Sequence, residues 1–315
     1  MWMHRRSEEP APTEITSYWS KPKLAGLQSS HCHIRAEDFK KEAEALKMPS
    51  NEDFLKTVQE IASKESISCQ LSKMTTEGND LMELSMHKLV FNFAKDGGRE
   101  YTDFLRFAES AMSHELIDLA ANETLNQSKD ILWQELRYGR ITASRLYDAS
   151  RCKAEGSILR LILGATKWHE TEAMKRGLYL ENRVLNVVES KLKCKMSRCG
   201  LFLMKEYPAL GASPDALGDG FVVEIKCPSK HSTQKSYLCN DSIRPKYMAQ
   251  IQLQMLATGM QKGLFCLANE SFEQNKYVEC KWVSRDQNFL NEIIDGAMIY
   301  WKNSVYPRLF KSVTP

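Results

Sequence analysis

Apolar positions change their spacing several times along the chain, and each change marks an element. Up to about residue 48 they show no period, and Pro10, Pro12 and Pro22 interrupt a polar stretch. Residues 1–48 therefore read as an extended arm or linker. From Ser50 the apolar positions recur at three- and four-residue steps. Phe54, Leu55, Val58, Ile61 and Ala62 form one helical stripe, opened by a Ser or Asn cap. Leu81, Leu84, Leu89, Val90 and Phe93 form a second, closed by Gly97 and Gly98, and residues 101–119 a third. Residues 49–125 are thus expected to be a helical N-terminal region that caps the remainder of the chain. The strongest stripe spans residues 171–193, through Met174, Leu178, Leu180, Val184, Leu185 and Val188. Glu181 falls on or beside its buried face, where an acid is more often a rim residue than a ligand.

The period then shortens to that of strands. Residues 196–204 and 210–217 read as two strands, and Gly218-Asp219-Gly220 as a tight turn. Residues 221–227, Phe-Val-Val-Glu-Ile-Lys-Cys, are β-branched and apolar at their start and read as a buried strand. A polar loop over 229–245 leads to a helix over 247–256, with Gln250 and Gln254 one turn apart. Strands over 263–267 and 277–283 and a helix over 288–300 complete the order. Helix, three strands, helix, two strands, helix predicts an α/β fold with a mixed sheet.

Composition narrows the function classes. The chain has 315 residues with a formal net charge of +3, so bulk charge alone does not bind nucleic acid and any such surface is a local patch. Nine scattered cysteines, with no C-x-x-C pair, argue for reduced thiols and against a disulfide framework or zinc finger. His31-Cys32-His33 has no second ligand cluster at a suitable distance to make a metal site. There is no signal-peptide pattern and no membrane-spanning apolar run, so the expectation is an intracellular protein, nuclear or cytoplasmic. The abrupt start is compatible with a piece of a longer polypeptide.

The candidate chemistry lies in residues 210–228. On the 221–227 strand Glu224 and Lys226 point to one face, Val223 and Ile225 to the other. A carboxylate and an amine on a mostly apolar strand are costly to bury without a purpose. Asp215, just before the turn, can fold back beside Glu224, and two adjacent carboxylates make a hard oxygen site for Mg²⁺ or Mn²⁺. Lys226 would sit beside the ion, able to orient or help deprotonate an attacking water. The plainer reading is a surface hairpin with a local Glu–Lys contact. Upstream, Arg137, Arg140 and Ser144 bracket Gly139 ahead of a helix-like run that Thr142 or Ser144 could cap, a pattern that suits an anion or an ordinary loop.

Five blocks, in order, carry a family resemblance. They are Trp133…Leu136-Arg137-x-Gly139-x-Ile141-Thr142-Ala143-Ser144; Arg176-Gly177-x-x-x-Glu181; Ser213-Pro214-Asp215; Glu224-Ile225-Lys226-Cys227-Pro228; and Tyr247-Met248-Ala249-Gln250-Ile251-Gln252. Together they resemble the phage lambda exonuclease and YqaJ-type viral recombinase family, within the PD-(D/E)xK nuclease superfamily. The resemblance covers residues 126–310 and implies a restriction-endonuclease-like core, an exonuclease domain over 126–315, with a central mixed sheet flanked by helices. It implies Asp215, Glu224 and the Ile225 carbonyl as metal ligands with Glu181 at or near the same site, Lys226 acting on the nucleophilic water, and Gln250 helping to hold that water or the adjacent strand. Arg137, Ser144 and Ser213 match residues that form a pocket for a terminal 5′-phosphate. The implied function is Mg²⁺-dependent exonuclease action on duplex DNA, 5′ to 3′, exposing single strand for recombination or repair. A strand-annealing or recombination partner and a homo-oligomer, a trimer in the family, are implied too, and no membrane. The alternatives are an endonuclease of the same superfamily and a non-catalytic scaffold that binds DNA ends.

Overall fold

The computed structural model describes residues 80–152, 156–164 and 171–314, together with helical positions 54, 57, 58, 60 and 61. The polar arm, Trp19 and the His31-Cys32-His33 tract lie outside the described residues. Residues 58–315 form one compact unit. After a 3-10 turn at Asp80–Leu84, it opens with helices α1 (Met86–Lys95), α2 (Tyr101–Ala111) and α3 (His114–Glu123). These are followed by α4 (Ile131–Arg137), strand β1 (Ile141–Thr142), α5 (Ala143–Arg151), α6 (Ser157–Ile162) and the long α7 (Glu172–Leu192).

Strands β2 (Phe202–Leu203), β3 (Leu210–Ala212), β4 (Ala216–Gly218) and β5 (Phe221–Lys226) come next. A short helix α8 (His231–Gln234) and a small hairpin, β6 (Leu238–Cys239) and β7 (Ser242–Ile243), precede α9 (Pro245–Ala257). The chain closes with β8 (Lys262–Ala268), α10 (Phe272–Asn275), β9 (Val278–Ser284), α11 (Gln287–Tyr300), a π-helical turn (Trp301–Val305) and α12 (Tyr306–Lys311).

The main sheet has the order β4-β5-β8-β9: β5 runs parallel to β8, and the outer pairs are antiparallel. It is the mixed α/β architecture expected. Alternation along β5 sends Val223 and Ile225 to the face covered by α7, and Val222 to the face covered by Ile251 and Met255 of α9. Helix α9 is buried all round, because its opposite side (Ala249, Leu253) packs into the large core built by α5, α11 and the N-terminal helices. Gly263 lets it approach closely: a Cβ there would stand 2.8 Å from Ile251.

Tertiary packing redraws several expected boundaries. The stripe over 101–119 is two helices, because Met112 turns extended and Ser113 caps α3 with its hydroxyl, which accepts from the Leu116 amide at 3.2 Å. Residues 210–217 are two strands in two sheets. β3 pairs with β1 and β2, while β4 joins the main sheet after Pro214, whose missing N–H ends the ladder. Residues 196–204 contribute only β2 and a bridge from Ser197 to Leu217. The polar loop holds α8 and the hairpin, where Asn240 and Asp241 take positive φ.

Arg140 is corrected outright: it is not part of an anion site. It is 1% exposed and spends its guanidinium on backbone carbonyls, those of Pro208 at 2.9 Å, Leu136 at 2.6 Å and Leu84 at 2.5 Å. Burial pulls it down to about 9. It ties the segment before α1 to α4 and to the approach to β3. Arg140→Met should therefore strand three buried acceptors and lower stability by about 3 kcal/mol, at roughly 1–3 kcal/mol per unsatisfied group. The urea midpoint measures this; an unchanged midpoint would mean that water replaces the donor.

Candidate active site

Glu224 is 1% exposed, and every contact to its carboxylate comes from a side chain the local fold presents. Strand alternation puts Glu224 and Lys226 on the α9 face, and helical spacing puts Gln250 and Gln254 one turn apart above them. Gln250 Nε2 donates to one carboxylate oxygen and Gln254 Nε2 to the other, both at 2.6 Å. The Lys226 ammonium pairs with the oxygen that Gln250 holds. Gln252, buried between them, faces away and binds the Ser284 carbonyl and the Asp286 amide. Thus three polar residues inside an otherwise apolar helix are each hydrogen-bonded.

Asp215 sits where the chain crosses from one sheet to the other. Its amide donates to the Val223 carbonyl at 3.0 Å, and its Oδ2 accepts from the Ile225 amide at 2.6 Å. Glu181, directly after Leu180 where the buried stretch of α7 begins, faces the same cluster. Burial, then Glu224 and Glu181, holds the Asp215 carboxyl well above its ordinary range; Lys226 and the Ile225 amide pull the other way. Burial raises Glu181 also, with Arg198 opposing and Glu224 reinforcing. Burial opposes the charge on Lys226, but Glu224 and Asp215 outweigh it and raise its proton affinity. Lys226 is therefore an ammonium donor in this arrangement.

A cavity of about 120 Å³ adjoins the cluster, its wall including Leu125, Lys129, Leu178, Glu181, Arg198 and Asp215. Gln127, also on the wall, adopts positive φ and donates from Nε2 to the carbonyls of Cys199 and Pro214, each at 2.9 Å. It thereby braces the residue just before Asp215. Nothing in the sequence pattern marked Gln127, because its partners lie 72 and 87 residues away.

The three phosphate-pocket candidates are joined through Trp133 and Thr142. Arg137 stacks on Trp133, 3.8 Å from the ring centroid, and Trp133 Nε1 donates to Ser213 Oγ at 2.9 Å. Arg137 also reaches Thr142 Oγ1 at 3.5 Å, which is 3.4 Å from Ser144 Oγ. Thr142 stands at the N-cap of α5 without a side-chain cap bond. Burial, then Arg145, pulls Arg137 down to about 10. Two arginines repelling one another beside a helix start and two hydroxyls are a combination whose chemistry suits an anion.

The donor chemistry suits a hard divalent cation. Acids that raise one another's proton affinity carry a negative charge that such an ion would relieve. Among the described residues no three His, Cys, Asp or Glu side chains stand close enough to hold a metal by themselves. Two carboxylates supplemented by a backbone carbonyl match Mg²⁺, which keeps several waters.

Against known families, residues 132–261 match the YqaJ-like viral recombinase domain. The stretch includes Trp133, Arg137, Ser144, Glu181, Ser213, Asp215, Glu224, Lys226 and both glutamines, while Gln127 lies before it. Comparison with curated protein sequences gives no match. Among solved structures, the chain is similar to LHK-Exo, an alkaline exonuclease from Laribacter hongkongensis: 26% identity over 56% of this chain and 91% of that one, TM-score 0.47. It is similar to a phage-related exonuclease from Haemophilus somnus 129PT, with 10% identity over 54% and 96% of the two chains and TM-score 0.43. It is also similar to the Shutoff and Exonuclease Protein from Kaposis Sarcoma Associated Herpesvirus, with 12% identity over 84% and 91% and TM-score 0.44.

The electrostatics of the carboxylate cluster predict a stability cost at its own centre. Because Asp215 binds its proton more tightly folded than unfolded, the native state holds more protons between the two pKa values. Stability therefore falls as pH rises from the ordinary carboxylate range to the raised folded value, and the penalty is fully present above it. Asp215→Asn should remove that penalty and raise stability by on the order of 1 kcal/mol at neutral pH in metal-free buffer. Melting curves across pH check this; a less stable variant would mean that the Ile225 amide bond outweighs the repulsion.

Proposed function

We propose that this chain is a divalent-metal-dependent DNA exonuclease that degrades duplex ends 5′ to 3′. The single observation carrying the proposal is that Gln254 joins two sites: its Nε2 holds Glu224 at 2.6 Å and reaches the Ser213 carbonyl at 3.4 Å. Ser213 leads through Trp133 to Arg137, so a carboxylate cluster able to hold metal and a basic pocket able to hold phosphate share one support.

In this reading Asp215, Glu224 and the Ile225 carbonyl would hold Mg²⁺, or Mn²⁺ in its place, with Glu181 at or near the same site. The bound ion supplies Lewis-acid polarisation of the phosphodiester and favours ionisation of the attacking water. Gln250 and Gln254 keep the Glu224 carboxylate in one orientation. The ammonium of Lys226 donates toward the water or the phosphate oxygens and offsets charge that develops there. Arg137, with Ser144 and Ser213, binds the terminal 5′-phosphate, whose double charge gains more from the pocket than an internal diester does. A strand-annealing partner and a homo-oligomer are natural companions of the activity. Nuclease assays on linear against closed circular DNA, with and without Mg²⁺, separate this reading from an endonuclease and from a non-catalytic end-binding scaffold.

Asp215→Ala is expected to lose at least about a thousandfold in cleavage rate while remaining folded, since each ~1.4 kcal/mol of lost transition-state stabilisation is tenfold. Near-parental cleavage by the purified variant would remove Asp215 from the chemistry.

Arg137→Ala should slow processing of 5′-phosphorylated ends by about tenfold or more, given roughly 1.5–3 kcal/mol for a hydrogen bond to a charged group. On 5′-hydroxyl ends the effect should be much smaller, because the partner is already missing. Equal slowing of both ends would rule out the phosphate pocket.

A further inference from the structure

Cys266 and Cys280 play no part in the site described above. They are direct partners in the antiparallel β8–β9 ladder, so their side chains share a face. That face is covered by α7; Cys266 is fully buried there and Cys280 partly exposed on the last strand of the sheet. Directly opposed residues of an antiparallel pair have Cα atoms about 4.5–5.5 Å apart. A disulfide spans roughly 4.4–6.8 Å, so the backbone already has the spacing of a bridge. Cys280 Sγ also donates to the Val278 carbonyl of its own strand at 3.9 Å.

From α7, Lys191 Nζ reaches Cys280 Sγ at 3.9 Å and the Val278 carbonyl at 3.4 Å. The neighbouring Cys266 thiol, reinforced by Lys191, lowers the Cys280 thiol to about 7, while burial and Glu279 oppose this. Cys199 and Cys227, beside the carboxylates, behave oppositely: burial and then Asp215 push each up to about 12, which keeps them as thiols. A partly exposed thiolate beside an ammonium, opposed by a second thiol, pairs a reactive sulfur with a sulfur able to resolve it.

We propose that Cys280 is a peroxide-reactive thiol that closes a reversible cross-strand disulfide with Cys266. The Cys280 thiolate attacks one peroxide oxygen; the S–O bond forms as the O–O bond breaks, and the departing hydroxide takes up the proton that Cys280 released on ionising. The Cys266 sulfur then attacks the sulfenic sulfur of Cys280. The S–S bond forms as the S–O bond breaks, and the leaving hydroxide takes the Cys266 proton. Two thiols lose two electrons and two protons, and one peroxide becomes two waters. The bond would staple β9 to β8, the strand whose other neighbour carries Glu224.

The test treats the full chain with hydrogen peroxide and maps its peptides without reduction. A Cys266–Cys280 linked peptide, lighter by two hydrogens than its reduced parts and restored by dithiothreitol, is expected. Cys266→Ala should leave Cys280 as a sulfenic acid that dimedone captures. Lys191→Met should slow formation of the linked peptide at neutral pH by about threefold or more, as the thiolate fraction falls. The proposal is overturned if the exposed Cys239 is oxidised while the pair stays reduced in the parent, or if Lys191→Met reacts at the parental rate. The parental peptide map decides the matter even if a variant fails to fold.

Discussion

A carboxylate with 1% exposure in the middle of a sheet is tenable only if its charge is met, and that need organises the surroundings of Glu224. Two amide donors from α9 and one ammonium from its own strand meet it. To deliver the amides, α9 must lie flat on the sheet with Gln250 and Gln254 facing down, and Gly263 opens the space for that approach. To deliver the ammonium, β5 must keep strict alternation through Lys226. The parallel pairing of β5 with β8 follows, since α9 is the crossover between them.

The same helix links chemistry to recognition. Gln254 touches both Glu224 and the Ser213 carbonyl, and Ser213 is held by the indole on which Arg137 stacks. A displacement of α9 would therefore move the Glu224 carboxylate and the Ser213–Trp133–Arg137 chain together. Gln127 adds a second brace from the segment before the matched stretch, fixing the carbonyl of Pro214 next to Asp215. Helices α1 to α3 contribute to the same core as α5 and α11, so the segment upstream of the matched stretch supports the site mechanically.

The acids at the centre work against the fold that holds them. Burial and mutual repulsion raise Asp215 and Glu181, a tension concentrated at functional positions and relieved by cations. Farther along the α7 face of the sheet, the Cys266 thiol and the ammonium of Lys191 draw Cys280 in the opposite direction.

Much of this was legible in the chain itself. Strand period and turn residues placed Glu224 and Lys226 on one face and Asp215 just before the turn, because alternation and glycine's positive φ are local properties. The helical spacing of Gln250 and Gln254 was equally local. What the local pattern cannot encode is which distant group meets a side chain. Arg140 and Arg137 look alike in sequence, three residues apart, yet one is consumed by three carbonyls and the other stacks on Trp133. The continuous run over 210–217 hid a change of sheet, since pairing partners are chosen by packing and not by propensity. Gln127 and the Cys266–Cys280 pair exist as functional features only through contacts that the fold closes. The sequence alone determined the elements and the chemical types at the site; the tertiary structure decided which charges are buried together, because desolvation and long-range hydrogen bonds arise only when distant segments meet.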